Sequence, residues 1–305
     1  MSGDINKNRR SDDSQNQIGV LGASSFVGAC LLQKLTAAAM HAIAYSRRDI
    51  KSPAKNIEWR RLEAELPLSQ KINTDHAIPN WICLAPLAVL PRYFTLLEAH
   101  GVKRVVALSS TSRFTKQTSS DPNELTLVKN LAEAELRVQQ WAESKGIEWI
   151  ILRPTLIYGA GQDRNIAEIT RFVRRFGFFP VFGKACGLRQ PIHVQDVAGA
   201  CMGALKSKAS VNCAYNISGS EVLTYRDMVT RIFKVLGKKP ILIPIPLWMF
   251  SAAVFVLRSI PRYRKWSSAM AERMNSDMIF DNSAVERDFE FKPRGFILTA
   301  EDIPN

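Results

Sequence analysis

Apolar and polar residues fall in short blocks along this chain. Residues 17–21 are a brief apolar run closed by a glycine-containing turn, and 26–35 follow with helical character. Residues 42–45, 57–62 and 81–84 are the next short strand candidates. Residues 91–100 read as a helix and 102–108 as another buried strand. A long helix is expected from Asp121-Pro122-Asn123-Glu124. Asp caps, Pro fits the first helical position, and Glu completes a capping-box-like arrangement. Gly146 closes that helix, and 149–152 is the next strand. Strands alternating with helices predict an α/β fold, a doubly wound parallel sheet. Beyond about residue 160 the alternation loosens. The expected organisation is a disordered tail over 1–16, a sheet domain over 17–160, and a smaller mixed lobe over 161–305 with segments returning to the sheet.

Composition narrows the partners. The 305 residues are 46% hydrophobic and 23% charged, which excludes a wholly disordered chain. The net charge of +13 suits anionic ligands, a membrane surface or nucleic acid, without choosing among them. Nucleic acid is not expected, because no binding motif for it is present. Five scattered cysteines and four scattered histidines form no disulfide or metal framework, so no metal site is expected. Residues 1–17 are polar and charged, with no cleavable signal peptide, and a reducing cytoplasm is the expected location.

The first chemical signal is Ile18-Gly19-Val20-Leu21-Gly22-Ala23-Ser24-Ser25-Phe26-Val27-Gly28. A strand enters, the chain turns on small residues, and a helix leaves. Backbone N–H groups in such a turn can approach a pyrophosphate at the positive helix end. Gly22 would permit the tight turn and Gly28 the close helix packing, while Ser25 stands at the middle glycine of the usual spacing. Gly22, Ser24, Ser25, Phe26 and Val27 are therefore candidate dinucleotide contacts. An acid at the end of the second strand would bind a ribose 2′-hydroxyl. Here the residues are Ser46-Arg47-Arg48, which suit a 2′-phosphate. NADP is expected, with NAD as the alternative.

The glycine turn and four other pieces resemble an atypical extended short-chain dehydrogenase/reductase of the NAD-dependent epimerase/dehydratase group. The others are residues 105–111 (VVALSST), Lys129-Asn130-Leu131-Ala132-Glu133, Leu152-Arg153-Pro154-Thr155-Leu156-Ile157-Tyr158-Gly159, and Arg189-Gln190-Pro191-Ile192-His193-Val194-Gln195-Asp196-Val197-Ala198. The resemblance implies a Rossmann domain holding a nicotinamide dinucleotide, with Pro154 beside the cofactor. It also implies catalysis by Ser/Thr, Tyr and Lys, with Tyr and Lys one helical turn apart on one face. Thr111 matches the hydroxyl, and Lys129 the lysine, which would also hold the nicotinamide ribose. Leu125 stands four residues before Lys129, so the tyrosine is missing. Lys116 or Ser112 could replace it, the substrate could make it unnecessary, or the protein could bind cofactor without turnover. Some atypical members resembling a complex I accessory subunit are of the last kind.

In the second lobe, Arg189 resembles the arginine that contacts substrate diphosphate in sugar-nucleotide epimerases, and Arg273 resembles a second phosphate contact. A guanidinium suits phosphate because its fork makes paired charge-assisted bonds. His193 reads as a packed, hydrogen-bonded histidine. Asp196 reads as the cap of the following helix, and 281–284 as the cap of the last one. Residues 241–257 are the most apolar stretch. Pro244 and Pro246 interrupt its start, the remainder is too short to span a bilayer, and Arg258, Arg262, Arg264 and Lys265 follow. A buried helix and a membrane-surface segment both fit. The expected protein is thus a cytoplasmic NAD(P)-binding oxidoreductase or isomerase acting on a diphosphate-linked sugar. The alternative is a non-catalytic regulatory or assembly subunit. Peripheral contact of 241–265 with the inner face of a membrane, and a homodimer, stay open.

Overall fold

Seven parallel strands form the central sheet in a computed structural model, which describes residues 17–50, 54–62, 77–163, 165–209, 211–246, 268–289 and 291–304. Five strands precede the crossover to β6: β1 (Ile18–Leu21), β2 (Ala42–Ser46), β3 (Ile57–Arg61), β4 (Asn80–Cys83) and β5 (Arg104–Leu108). β6 (Glu148–Pro154) follows the long helix, and β11 (Cys213–Ile217) returns from the second half of the chain to pair with β6. The order across the sheet is β11-β6-β5-β4-β1-β2-β3. The chain therefore winds outward from β1 in both directions, which is the Rossmann arrangement. β1, β2 and the end of β5 are buried throughout, as expected of strands covered on both faces.

One face is covered by α1 (Phe26–Ala37), and the other by a 3₁₀ turn (Leu87–Tyr93) and α2 (Phe94–Ala99). The single helix expected over 91–100 is thus split. Pro91 lies inside the 3₁₀ turn, and regular α-helix begins only after it, because proline offers no N–H to the ladder. After β5 come a single turn, α3 (Ser112–Thr115), and then α4 (Pro122–Ser144). Asp121 does cap α4, its side chain accepting the Asn123 N–H at 2.9 Å.

The rotation of α4 is fixed by one residue. Glu135 is fully buried and accepts hydrogen bonds from Ser109 Oγ (2.5 Å), Arg153 Nε (3.0 Å), Arg153 Nη2 (2.7 Å) and the Arg113 guanidinium. Burial pushes this carboxyl up, but the bonds from Arg153 and Ser109 and the two guanidinium charges outweigh it and hold it below the usual range. α4 is thereby tied to the ends of β5 and β6.

The remaining elements are two-stranded pairs, among them β7 (Ile157–Tyr158) with β10 (Ile192–His193) and β9 (Leu188–Arg189) with β12 (Leu223–Thr224), and helices around a third core. α5 (Ile166–Phe176) and α7 (Tyr225–Val235) pack with β8 (Phe179–Phe182) and β13 (Leu242–Ile245). α6 (Val194–Lys206) lies against α1 on the first face of the sheet. Near the end come α8 (Ser268–Arg273) and α9 (Ser283–Phe289). Ser283 N–H donates to Asp281 Oδ1 at 3.0 Å, as the expected cap would. The tail 1–16, the apolar remainder 247–257 and the basic cluster Arg258, Arg262, Arg264 and Lys265 lie outside the described residues. Among the described residues no helix is long and apolar enough to cross a membrane.

Candidate active site

Two cavities open at the carboxyl ends of the parallel strands, where doubly wound sheets bind ligands. The first, about 400 Å³, is lined by Gly22, Ser24, Ser25, Ser46, Arg47 and Tyr93 among others. Its floor is the turn after β1. Gly22 has φ +76°, and a Cβ there would stand 2.5 Å from the Ala85 amide nitrogen. At Gly28 a Cβ would meet the Ala23 carbonyl oxygen at 2.3 Å, so α1 can start this close to the turn only with glycine there. Ser25 is the N-cap of α1, accepting the Gly28 N–H at 3.1 Å. This cradle, filled by any Cβ at Gly22 and facing a capped helix N-terminus, fits a dinucleotide pyrophosphate.

Arg47 lines this cavity and Arg48 is exposed beside it, its N–H bonded to Ser46 Oγ at 3.0 Å. No carboxylate closes β2, and Arg92 adds a further cation to the wall. Phe26 faces the second cavity instead, and Val27 is buried in the core of the sheet's first face.

The second cavity, about 490 Å³, has in its lining Phe26, the residue that follows Ser25 of the first. Ser110, Thr111, Ser112 and Lys116 form one wall, Thr155, Gln162 and Asp163 another, and Arg189, Gln190 and Arg273 close it. Thr111 Oγ1 donates to the Pro154 carbonyl at 3.1 Å, joining the ends of β5 and β6. Asp163 caps the start of α5, its Oδ1 accepting the N–H groups of Asn165 (2.8 Å), Ile166 (2.5 Å) and Ala167 (3.3 Å). Its Oδ2 is buried without a partner, and burial pushes the carboxyl up despite those bonds.

The structure does not bring Lys129 to Thr111. The Lys129 side chain is 76% exposed and lies 3.8 Å from Glu133 on the outer face of α4. Leu125 is also on that face, 43% exposed. The spacing correctly puts both on one helix face, but Glu135 turns that face outward. Residues 124, 128, 131 and 135 form the inward stripe instead. Glu124 is the polar member nearest the cavity wall. It accepts from Ser119 Oγ (2.7 Å) and pairs with Lys116 (3.0 Å) and Arg273. Sequence reasoning missed Glu124 and Glu135. The available signal was a glutamate set among alanine, leucine and valine at helical spacing, opposite Arg153.

Arg189 lies in the wall of the second cavity and is 5% exposed. Its guanidinium donates to the carbonyls of Leu188 (2.8 Å), Ser276 (2.7 Å) and Arg273, and lies 5.4 Å from the Tyr225 ring centroid. Burial, with Arg273 nearby, brings its pKa down to about 10, although Tyr225 and Asp277 act the other way. Among the described residues its hydrogen bonds go to neutral carbonyls and to no carboxylate, and Asp277 acts on it only through space. The site thus favours an anion.

His193 is buried and structural. Its Nδ1 accepts the Gln195 N–H at 3.2 Å, so Nε2 carries the proton and donates to Asp302 Oδ1 at 2.9 Å. His193 rather than Asp196 caps α6. Asp196 instead binds Arg294 at 2.9 Å, because the histidine ring already fills the cap position. Burial would raise the Asp302 carboxyl, but bonds from His193 and Thr299 outweigh it and hold the group down to about 2. Its unfolded value is about 4, so the shift contributes roughly 2 kcal/mol above pH 5, lost as pH falls through about 2. Asp302→Asn should flatten the stability loss between pH 5 and 2 in urea unfolding. A profile parallel to that of the wild type would refute this.

The structure is thus a Rossmann sheet with a glycine-turn cavity and an arginine-lined cavity at its carboxyl edge. In agreement, residues 92–218 match the NAD dependent epimerase/dehydratase family, and the chain is similar to that family and has its fold. It is 29% identical over 119 residues to the Arabidopsis thaliana NADH dehydrogenase [ubiquinone] 1 alpha subcomplex subunit 9, mitochondrial (37% of this chain, 29% of that one). It is 23% identical over 119 residues to a Vibrio cholerae UDP-glucose 4-epimerase (39% and 36%). The match thus spans about a third of the length of each of these relatives. The solved MoeE5 in complex with UDP-glucose and NAD superposes with a TM-score of 0.67 at 20% identity, covering 92% of this chain and 94% of that one.

Proposed function

We propose that the protein binds NADP(H) in the first cavity and a diphosphate-linked sugar in the second, acting there as an epimerase or reductase. The observation that carries this is Arg189, a buried guanidinium with no carboxylate bonded to it among the described residues, beside Arg273 in a cavity lined by Phe26, the residue after the glycine turn. A diphosphate would supply the missing negative charge. Gly22, Ser24 and Ser25 would hold the pyrophosphate of the dinucleotide, with Arg47 and Arg48 at the 2′-phosphate. The bound nicotinamide supplies reversible hydride transfer. The chain's own part is to orient: Thr111 offers a hydroxyl anchored on Pro154, and Lys116 is the amine in the wall. Support comes from a Vibrio cholerae relative that is a UDP-glucose 4-epimerase and from a structural neighbour solved with UDP-glucose and NAD.

Fluorescence and calorimetric titration test this reading. NADPH should bind about tenfold more tightly than NADH, and Arg47→Ala/Arg48→Ala should remove the preference. UDP should bind the NADPH-loaded protein while uridine does not. Equal cofactor affinities would sink the NADP assignment, and absence of UDP binding would sink the diphosphate assignment.

A second reading is a cofactor-binding subunit without turnover. It is favoured by the outward position of Leu125 and Lys129 and by the absence of tyrosine from the described lining of the second cavity. The likeness to a subunit of NADH dehydrogenase points the same way. Contact of 241–265 with a membrane belongs to this reading, and Ile241 and Ile243 are exposed apolar residues at its start.

A further inference from the structure

Three charged side chains meet at the rim of the second cavity from different parts of the chain. Lys116 follows α3, Glu124 sits in the first turn of α4, and Arg273 ends α8. Glu124 Oε1 takes both cations at once, Lys116 Nζ at 3.0 Å and the Arg273 guanidinium, while Oε2 accepts from Ser119 Oγ at 2.7 Å. All three side chains are largely buried, so the attraction is weakly screened. Lys116 and Arg273 line the cavity, and Glu124 is not among its lining residues. Two cationic walls of the cavity are therefore engaged from behind by one carboxylate of the chain itself.

The segment carrying Arg273 also covers Arg189. The carbonyls of Arg273 and Ser276 accept from the Arg189 guanidinium, and Asp277 Oδ1 accepts the Leu188 N–H at 2.8 Å. Glu124 thus ties to α4 the same segment whose carbonyls hold the cavity's buried arginine. A phosphate and a carboxylate are bound by these cations in the same way, through charge-assisted N–H···O bonds. They compete for the same donors.

We propose that Lys116 and Arg273 form a phosphate subsite whose place-holder is Glu124, and that an anionic ligand binds by displacing the Glu124 carboxylate from them. The inference rests on the diphosphate reading above and adds to it a residue, Lys116, and an internal competitor, Glu124. Affinity for the ligand is set by how firmly Glu124 holds on. Phosphate-free molecules gain nothing from its release.

Titration of NADPH-loaded protein with UDP and with inorganic pyrophosphate tests the subsite. Glu124→Gln keeps the bond to Ser119 within reach but gives up the charge. It should tighten both ligands about fivefold, the worth of one partly buried ion pair. Lys116→Gln should weaken both by a similar factor, and it remains informative if Glu124→Gln does not fold. Glu133→Gln removes an equal charge from the outer face of the same helix and should change neither. Unchanged or weaker binding by folded Glu124→Gln would overturn the proposal, as would an equal gain in Glu133→Gln, which would reveal a general field. If UDP binds but neither Glu124→Gln nor Lys116→Gln alters it, the subsite fails while the diphosphate reading stands. If the NADPH-loaded wild type binds neither UDP nor pyrophosphate, the diphosphate reading fails and takes the subsite with it.

Discussion

Glu135→Ala is expected to destabilise the protein by about 3–5 kcal/mol, the usual cost of stripping one partner from a buried ion pair. The side chain is fully buried and meets Ser109, Arg113 and Arg153. Removing it leaves the Arg153 guanidinium, 12% exposed, without its counter-charge and the Ser109 hydroxyl without its acceptor. Glu135→Gln should cost less, because it keeps the acceptor and loses only the charge. Urea denaturation gives the ranking directly. A loss under about 1 kcal/mol in Glu135→Ala would mean that α4 is held by its apolar contacts alone. The same variant has a functional signature. Once untied, α4 no longer fixes Glu124 at the rim, so cofactor binding at the distant glycine turn should survive better than binding in the second cavity.

Gly22→Ala should cost about 2–3 kcal/mol of dinucleotide affinity, a 30- to 150-fold rise in Kd. Two effects add. The φ of +76° is strained for any residue with a Cβ, and the new methyl would stand 2.5 Å from the Ala85 nitrogen and 2.8 Å from the Leu84 carbonyl carbon. Both neighbours are backbone atoms of the segment after β4, which cannot step aside as a flexible side chain would. The turn must therefore open, and the amide groups aimed at the pyrophosphate move with it. NADPH titration is the direct measurement. An affinity within threefold of the wild type would show that the turn is not the phosphate cradle. Gly101→Ala is a useful companion, since its φ is +68° but nothing lies within 4 Å, so it isolates backbone strain far from the cavity.

Six of the seven sheet strands were legible as short runs between turn residues, but β11, with its run Cys213-Ala214-Tyr215-Asn216-Ile217 only partly buried, carries too weak a pattern and was not read. The cap at Asp121 and the turn at Gly22 were legible for the same local reason, since cap and turn chemistry act within three or four residues. The candidate site was legible only in part. Gly22, Ser25, Arg47, Thr111, Arg189 and Arg273 were found from local motifs, and each lines a cavity. Lys129 and Leu125 were misplaced because spacing tells which residues share a helix face and not which face turns inward. That choice depends on Glu135 meeting Arg153 and Ser109, contacts 18 and 26 residues apart in sequence. The carbonyl clamp on Arg189 was illegible for a stronger reason. Two of its three acceptors are backbone atoms 84 and 87 residues further on, and any sequence there carries carbonyls.

The late return of β11 to the sheet sets a timetable for synthesis. Pro154 ends β6, and Cys213, which opens the strand that pairs with it, comes 59 residues later. At about 5–20 residues per second, the ribosome needs roughly 3–12 s to cover that distance. During that interval the outer edge of β6, with Ile150, Ile151 and Leu152 along it, has no neighbour on one side, while the rest of the sheet has already emerged. An open apolar strand edge is a ready template for pairing with another nascent chain. That edge of the sheet therefore stays open until β11, the last strand of the central sheet to be made, reaches its place.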